Sequence, residues 1–148
     1  MKKLLLILLC LPFIFSSCEG EKKENDLTRN NIKGMVKEIT ETNYNAIESF
    51  GDFKKTDLIS EYIFKYDENG NQTEMISYSN QGDWKRKNYN TEKNKYDENG
   101  NQTERSKYNK DGDLISKYKY KYDENRNKTE SSSYNKDGDI VFEFKYKY

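Results

Sequence analysis

The chain has 148 residues, of which 26 are basic and 26 acidic, so its formal charge at pH 7 is zero. It contains no histidine, two cysteines and one proline, whereas tyrosine occurs 13 times. Zinc sites and histidine-dependent triads are therefore not expected. The charge balance also gives no excess of Lys and Arg for nucleic acid, and the aromatic content is too high for a disordered chain.

Residues 1–17 predict a signal peptide. Two lysines precede an uncharged run of 12 residues, Leu4–Phe15, which is shorter than the roughly 20 residues that a membrane-spanning helix needs. The sequence FSSC at its end resembles the lipobox of bacterial lipoproteins, with Phe15 where Leu is usual. The resemblance implies that Cys18 is lipidated and becomes the first mature residue. The alternative is ordinary cleavage near Ser17, which would leave Cys18 as a free thiol.

Residues 18–31 read CEGEKKENDLTRNN. This polar segment has no hydrophobic periodicity and predicts a flexible tether between the lipid and the folded part. Acidic residues just after Cys18 also resemble the surface-export signals of Bacteroidetes lipoproteins, which implies the cell envelope, at the outer membrane or cell surface. Without Lys2 and Lys3, 24 basic residues face 26 acidic ones, so the mature chain has no charge excess that favours nucleic acid.

Residues 32–148 form the predicted folded domain, and they contain a repeat. The sequence KYDENGNQTE occupies 65–74 and 95–104, and it returns as KYDENRNKTE at 121–130. The unit is about 26 residues long, with four additional residues between Trp84 and Tyr96. Copies of one supersecondary unit are typical of folds in which a single unit cannot bury its own apolar face.

Turn residues divide each unit into two strands. Asn-Gly within DENGN predicts a tight hairpin turn, since both central residues adopt positive φ. The sequence NKDGD provides the second turn. Arg126 stands in the glycine position of the third DENGN-like turn, so we expect that turn to be looser or strained.

Between the turns, aromatic and charged residues alternate with a period of two, which places rings on one face of a strand and charges on the other. The fold predicted is all-β, an antiparallel meander of repeated β-hairpins forming a twisted open sheet or half-barrel. Curling into a half-barrel or two-layer wrap would make the rings a thin core. Eight or nine strands are predicted, near 33–45, 57–67, 72–79, 83–90, 94–97, 102–108, 113–123, 128–134 and 139–148.

The YDENGN motif resembles the YD repeats of the RHS family. The matching residues are Tyr66, Asp67, Gly70, Asn71, Tyr96, Asp97, Gly100, Asn101, Tyr122, Asp123 and Asn127, whereas Arg126 departs from the motif. The resemblance covers roughly residues 57–148. It implies hairpin architecture and extracellular use, and related repeats are linked to contact with carbohydrate or cell surfaces.

Trp84 and Tyr89 are the candidate ligand-binding residues. Trp84 occupies the place of Leu114 and Ile140 in the other units and lies beside the irregular insertion, where function often enters a repeat protein. Tyrosine and tryptophan rings stack on the apolar faces of sugars, and lysines can contact anionic groups. The alternative is that these rings are simply part of the core.

The sequence favours neither a metal site nor a catalytic site. Asp111 with Asp113, and Asp137 with Asp139, could offer oxygens to Ca²⁺, but their spacing does not match an EF-hand loop. Glu74, Glu104 and Glu130 recur at equivalent places, whereas acid–base catalysis needs one special environment. No cofactor, no metal site and no catalytic residue is predicted.

The sequence therefore predicts a lipid-anchored, non-catalytic binding or scaffold module, for a glycan or another surface polymer. An alternative is a structural or immunity-like partner of a secreted repeat protein. The last strand, Ile140–Tyr148, would then bind that partner through an unpaired edge.

Overall fold

The computed structural model of the protein describes residues 24–80 and 87–148. In chain order they form a one-turn helix and eight strands: α1 Asp26–Arg29, β1 Glu38–Ser49, β2 Asp52–Tyr66, β3 Gln72–Asn80, β4 Lys87–Tyr96, β5 Gln102–Tyr108, β6 Leu114–Tyr122, β7 Lys128–Tyr134 and β8 Ile140–Lys145. Each strand pairs antiparallel with the next, in the order β1 to β8. The predicted all-β meander is confirmed, and the sheet is open.

Two details of the strand prediction are wrong. The segments predicted as separate strands at 83–90 and 94–97 belong, over the described residues, to the single strand β4. Thr91, Glu92 and Lys93 pair with both β3 and β5, so the additional residues lengthen a hairpin instead of forming a loop. The first hairpin is also longer than predicted, because β1 continues to Ser49 and β2 starts at Asp52.

Phe50 and Gly51 form the two-residue turn of the first hairpin. Their φ angles are +55° and +82°, as in a type I′ turn, which suits the twist of the flanking strands. Asn-Gly is the usual pair in such a turn, and the Phe50 ring is fully exposed. The outer part of this hairpin extends beyond β3, which pairs with β2 only from Ser60 onward.

The sheet has two chemically different faces. The ring face carries Tyr62 and Phe64 on β2, Tyr118 and Tyr120 on β6, and Phe142 and Phe144 on β8, since residues directly opposite in a pair share a face. The charged face carries Lys65, Glu74, Lys93, Lys95, Glu104, Lys119, Lys121, Glu130 and Lys145. The predicted alternation of rings and charges is thus present on β2, β6 and β8, whereas Tyr78, Tyr89, Tyr108 and Tyr134 lie on the charged face.

The predicted aromatic core is wrong. Among the described residues, the one buried hydrophobic side chain is Leu27, and every ring keeps part of its surface exposed. Small polar side chains are buried instead, chiefly Ser106 and the run Ser131–Ser133. An open sheet of one layer has no second layer to cover its rings, so they pack sideways over short serines. Phe142, for example, lies 6.2 Å from Tyr118 across β7.

One end of the sheet is built from the three repeated turns 67–71, 97–101 and 123–127, and we call it the ladder end. In the first turn, the backbone N–H of Asp67 donates to the Asn71 carbonyl at 3.0 Å, while the Asp67 carboxylate accepts from the backbone N–H groups of Asn69 and Asn71. The second turn repeats these bonds. Asp-x-Asn-Gly-Asn is thus a self-contained turn in which the aspartate satisfies the backbone.

The motif tyrosines join neighbouring units at the ladder end. The hydroxyl of Tyr96 is hydrogen-bonded to the Gln72 carbonyl at 2.8 Å. Tyr122 makes the same bond to the Gln102 carbonyl at 2.9 Å, and Tyr148 to the Lys128 carbonyl at 3.1 Å. Each acceptor lies one residue beyond the preceding turn. The tyrosine of the motif therefore links each unit to the turn of the hairpin before it.

Helix α1 packs on the first of these turns. The backbone N–H of Leu27 donates to the Gly70 carbonyl at 3.2 Å, and Asn25 Nδ2 donates to the Asn69 carbonyl at 2.7 Å. Asp26 Oδ2 accepts from the Gln72 backbone N–H at 2.7 Å and from the Tyr96 hydroxyl at 2.9 Å. The packed part of the chain therefore begins at or before Asn25, within the segment that the sequence assigns to the tether.

Arg126 shows why the third turn closes without glycine. Its φ is +67°, so the turn is strained, which is one of the two outcomes expected from the sequence. Its backbone hydrogen bonds nevertheless match those of the first two turns. The guanidinium donates to the Asn99 carbonyl at 3.0 Å and to Asn101 Oδ1 at 3.3 Å. These bonds to the preceding turn offset a left-handed conformation that costs about 1–2 kcal/mol in a non-glycine residue.

Candidate ligand-binding groove

The β3–β4 hairpin differs from the two that follow it. Tyr78 lies directly opposite Tyr89, whereas the equivalent Tyr108 and Tyr134 lie opposite Leu114 and Ile140, next to their turns. The four additional residues of this unit thus extend both strands of the hairpin. They also introduce Tyr89, which has no counterpart in the later hairpins.

An open groove of about 410 Å³ lies on the charged face between this hairpin and the β5–β6 turn. We call it the tyrosine groove. It is lined by Glu74, Tyr89, Thr91, Lys93, Tyr108, Asn109, Lys110, Asp111 and Gly112. Its volume falls within the ~300–1,000 Å³ of small-ligand clefts. Its lining combines phenol rings with amide, hydroxyl, ammonium and carboxylate groups.

Tyr89 holds one wall of the groove in place. Its hydroxyl donates to the Lys110 carbonyl, which joins β4 to the β5–β6 turn. Its ring lies 5.7 Å from that of Tyr78 at an interplanar angle of 46°, a favourable arrangement for aromatic pairs. The Tyr89 side chain is therefore fixed at both ends and still 36 % exposed, so part of its ring is available to a ligand.

Lys93 and Tyr108 form the opposite side. Lys93 Nζ lies 5.7 Å from the centroid of the Tyr108 ring, within the range of a cation–π contact. Lys119 and Tyr134 repeat this contact in the next unit at 5.3 Å. The Lys–Tyr contact is thus part of the repeated architecture, and Tyr89 is what distinguishes the groove from its repeat.

The charged face around the groove is held by cross-strand ion pairs. Lys65 Nζ lies 2.6 Å from Glu74, Lys95 Nζ 3.0 Å from Glu104, and Lys121 Nζ 2.6 Å from Glu130. Partial burial opposes ionisation of Glu104, but the hydrogen bond from Lys95 and the nearby positive charges outweigh it and lower the pKa of its carboxyl. The pKa of Glu130 is lowered by the hydrogen bond from Lys121. Glu104 and Glu130 are therefore ionised partners of lysines at neutral pH.

The aspartate turns, which the sequence analysis weighed as calcium loops, are tied by asparagine. Asn109 Oδ1 accepts from the backbone N–H groups of Asp111 and Asp113, and Asn109 Nδ2 donates to the Asp113 carboxylate at 3.1 Å. Asn135 makes the corresponding bonds in the next turn. Within the described residues, no three Asp, Glu, Cys or His side chains are grouped to hold a metal ion.

Of the predicted site residues, Tyr89 is the one that lies within the described part of the structure. Trp84 and Cys18 lie outside the described residues. Tyr78, Thr91, Lys93 and Tyr108 were not singled out from the sequence, although Tyr78, Tyr108 and Tyr134 do recur just before the second turn of each unit. In the parts of the chain that the structure covers, no helix is long and apolar enough to cross a bilayer.

Comparisons with protein-family models, curated proteins and solved structures gave no significant match. The resemblance to YD repeats therefore stays a prediction based on the motif residues.

Proposed function

We propose that the protein is a lipid-anchored module of the cell envelope that binds a glycan or another hydroxyl-rich surface polymer in the tyrosine groove, without catalysing a reaction. The observation that carries this proposal is the fixed, partly exposed Tyr89 ring beside Thr91, Lys93 and Tyr108. A sugar presents an apolar face that stacks on such a ring, and its hydroxyl groups can bond to the polar groups of the lining.

The electrostatics of the groove favour a neutral or anionic ligand. Lys93 lines it directly, and Lys117 and Lys119 lie on the same face. Lys110 also lines it but lies 3.5 Å from the Asp111 carboxylate, and Lys95 is paired with Glu104. Glu74 is paired with Lys65 at 2.6 Å, so its charge is already compensated. A polymer carrying carboxylate or phosphate groups would gain from the remaining ammonium groups, and this gain would weaken with salt.

We base the proposed absence of catalysis on the pairing of the carboxylates with lysines. Each recurrent glutamate is bonded to a lysine on the neighbouring strand, in an environment repeated from unit to unit. A general acid needs a raised pKa and a carboxylate free to approach the substrate, whereas the pKa of Glu104 and of Glu130 is lowered.

The proposed membrane anchor is the N-terminal segment of the chain. The signal peptide 1–17 and Cys18 would place the groove at the membrane surface, in the outer membrane or at the cell surface. Fatty-acid labelling of the intact chain tests this, because Cys18→Ala should abolish incorporation. Label that still enters the variant, or never enters the parent, would contradict the lipoprotein assignment.

Binding can be tested with a matched pair of tyrosine variants. Tyr89→Ala should weaken the binding of the full chain to a glycan array or to polymers extracted from the native envelope by about fivefold, which corresponds to ~1 kcal/mol for one ring. Tyr134→Ala, which removes a ring from the equivalent Lys–Tyr contact outside the groove, should leave binding unchanged. Equal effects of the two variants, or no binding by the parent chain, would contradict the proposal.

A second candidate function is engagement of a secreted repeat protein through an edge strand. It is favoured by β8, in which all six residues from Ile140 to Lys145 are exposed. Such binding would tolerate Tyr89→Ala and would be lost when β8 is deleted. A pull-down of the native envelope with both variants separates the two functions.

A further inference from the structure

The charged face contains a ladder of alternating charges that runs across the strands. It starts with Glu38 on β1 and continues through Lys65, Glu74 and Lys93 on the next three strands. The ladder then shifts by two residues along β4, from Lys93 to Lys95, and continues through Glu104 on β5 to Lys119 on β6. It shifts again along β6, from Lys119 to Lys121, and ends with Glu130 on β7 and Lys145 on β8. Acid and base thus occupy alternate strands across the whole sheet.

The two ends of this ladder carry opposite charges. β1, at one edge, contributes Glu38, and β8, at the other edge, contributes Lys145. Neither strand has a partner on its outer side among the described residues. Charges on an edge strand usually prevent another strand from adding. Here Lys145, which also lies 3.5 Å from Glu143 on its own strand, is opposite in charge to Glu38, so a contact between these two residues would be attractive.

The two edges both offer a short stretch of regular strand. On β8, which comprises Ile140–Lys145, the pairing is regular from Phe142 to Lys145 and then shifts register at Ile140. On β1 the pairing is regular from Glu38 to Asn43 and then becomes irregular, with register shifts at Tyr44 and Ala46. Bulges of this kind bend a strand away from the sheet plane. The two edges can therefore pair regularly over four residues, Phe142–Lys145 of one copy against Glu38–Glu41 of the next.

The strand directions agree as well. β8 runs toward the ladder end, because its pairing with β7 closes where Glu130 meets Lys145. β1 runs away from that end, starting where Glu38 meets Lys65. Helix α1 contacts the first turn, Gln72 and Tyr96, which lie on the other side of β2 from the free edge of β1. A second copy could therefore add its β1 to β8 antiparallel, continuing the meander.

We infer that copies of this chain associate head to tail, with the β8 edge of one copy pairing with the β1 edge of the next. Matching Phe142–Lys145 with Glu38–Glu41 sets Lys145 opposite Glu38, Phe144 opposite Ile39, and Phe142 opposite Glu41 of the second copy. The charge ladder then continues across the junction. On the ring face, Phe144, which is 55 % exposed in the single chain, gains an aliphatic neighbour.

The association is heterologous and leaves one free edge of each kind, so further copies can add. Four residue pairs bury less than the ~1,000 Å² expected of a stable interface, and the contact is therefore weak between molecules in solution. An anchor that holds the copies on one membrane would raise their effective concentration. The inference rests on the two edges and is independent of the tyrosine groove.

Four variants of the full chain, each with one added cysteine and reconstituted in lipid vesicles, test the register: Ile39→Cys, Glu41→Cys, Phe142→Cys and Phe144→Cys. After mixing in pairs and mild oxidation, Ile39→Cys with Phe144→Cys and Glu41→Cys with Phe142→Cys should form cross-linked dimers. The exchanged pairs, Ile39→Cys with Phe142→Cys and Glu41→Cys with Phe144→Cys, lie on the same face two residues out of register, roughly 7–8 Å apart and beyond disulfide reach. They should give severalfold less dimer.

Charge reversal provides a second readout in the same assay. Glu38→Lys or Lys145→Glu alone should reduce the in-register cross-link, and the two reversals together should restore it. The parent chain without added cysteines controls for links through Cys18, and circular dichroism verifies that each variant keeps its sheet. Equal cross-linking in all four combinations, or in none, would overturn the inference, as would a double reversal that restores nothing.

Discussion

The two ends of the sheet are built differently, and the difference separates scaffold from groove. At the ladder end, each turn contacts its neighbour through a tyrosine hydroxyl, the Arg126 guanidinium or helix α1. At the opposite end, the turns 109–113 and 135–139 are closed by their own asparagines and are exposed. The tyrosine groove and the lengthened hairpin lie at this second end. Among the described residues, the bond from Tyr89 to the Lys110 carbonyl joins one of these turns to a neighbouring hairpin, so the turns at this end are tied less closely than those at the ladder end.

Glycine substitutions should show the largest contrast between the two ends. At Gly70, φ is +79° and an added Cβ would lie 2.7 Å from the Asn25 side chain, so Gly70→Ala should both strain the turn and displace α1. We expect a loss of about 3 kcal/mol in the free energy of unfolding, from the left-handed backbone and the exposure of Leu27. Gly112→Ala has a similar φ, +86°, with nothing within 4 Å, and should cost about 1 kcal/mol.

Urea unfolding of the two variants measures this contrast. Hydrogen exchange at Leu27, whose amide donates to the Gly70 carbonyl, reports whether α1 has left the turn. Similar losses of stability in both variants, with Leu27 still protected in Gly70→Ala, would show that α1 adds nothing to the ladder end.

Loss of the tyrosine hydroxyls should have an intermediate effect. The single hydroxyl proton of Tyr96 is shared between the Gln72 carbonyl and the Asp26 carboxylate, and burial, together with that carboxylate, raises the pKa of its phenol. Tyr96→Phe should therefore cost about 2 kcal/mol, since bonds to charged groups are the stronger ones. Tyr122→Phe loses a single bond to a carbonyl and should cost about 1 kcal/mol.

Thermal unfolding followed by near-ultraviolet circular dichroism can rank these two variants. In an Asp26→Ala background, the difference between them should disappear, because Tyr96 then retains the carbonyl bond alone. A difference that persists in this background would place its origin outside the contact between α1 and Tyr96.

Arg126 should give the smallest net effect. Arg126→Gly relieves the φ of +67°, a gain of about 1 kcal/mol, but removes two bonds to the preceding turn that are together worth a similar amount. Its stability should match that of the parent within ~0.5 kcal/mol. Arg126→Ala keeps the strain and loses the bonds, so it should be less stable by about 1 kcal/mol. Equal stabilities of the two variants would refute this balance.

The elements of the fold followed from local chemistry. Alternation of rings and charges placed β6 and β8, and the turns on either side placed β7, to within a few residues. The DENGN and NKDGD turns lie where the glycines and asparagines predict them. Strand β4 of the lengthened hairpin was misread as two strands. Its residues 87–93 lack the alternation of rings and charges, and their strand geometry comes from pairing with β3 and β5 on either side.

By itself, the sequence determined a meander of hairpins with rings on one face and charges on the other, because turn type and side-chain alternation depend on residues close together in the chain. Tertiary structure alone decided how those faces are used. Serines are buried while rings stay half exposed, since one open layer has nothing to cover them. The Tyr89–Lys110 bond spans 21 residues and the Tyr96–Asp26 bond 70, so the groove and the docking of α1 arise from register and packing that local patterns do not encode.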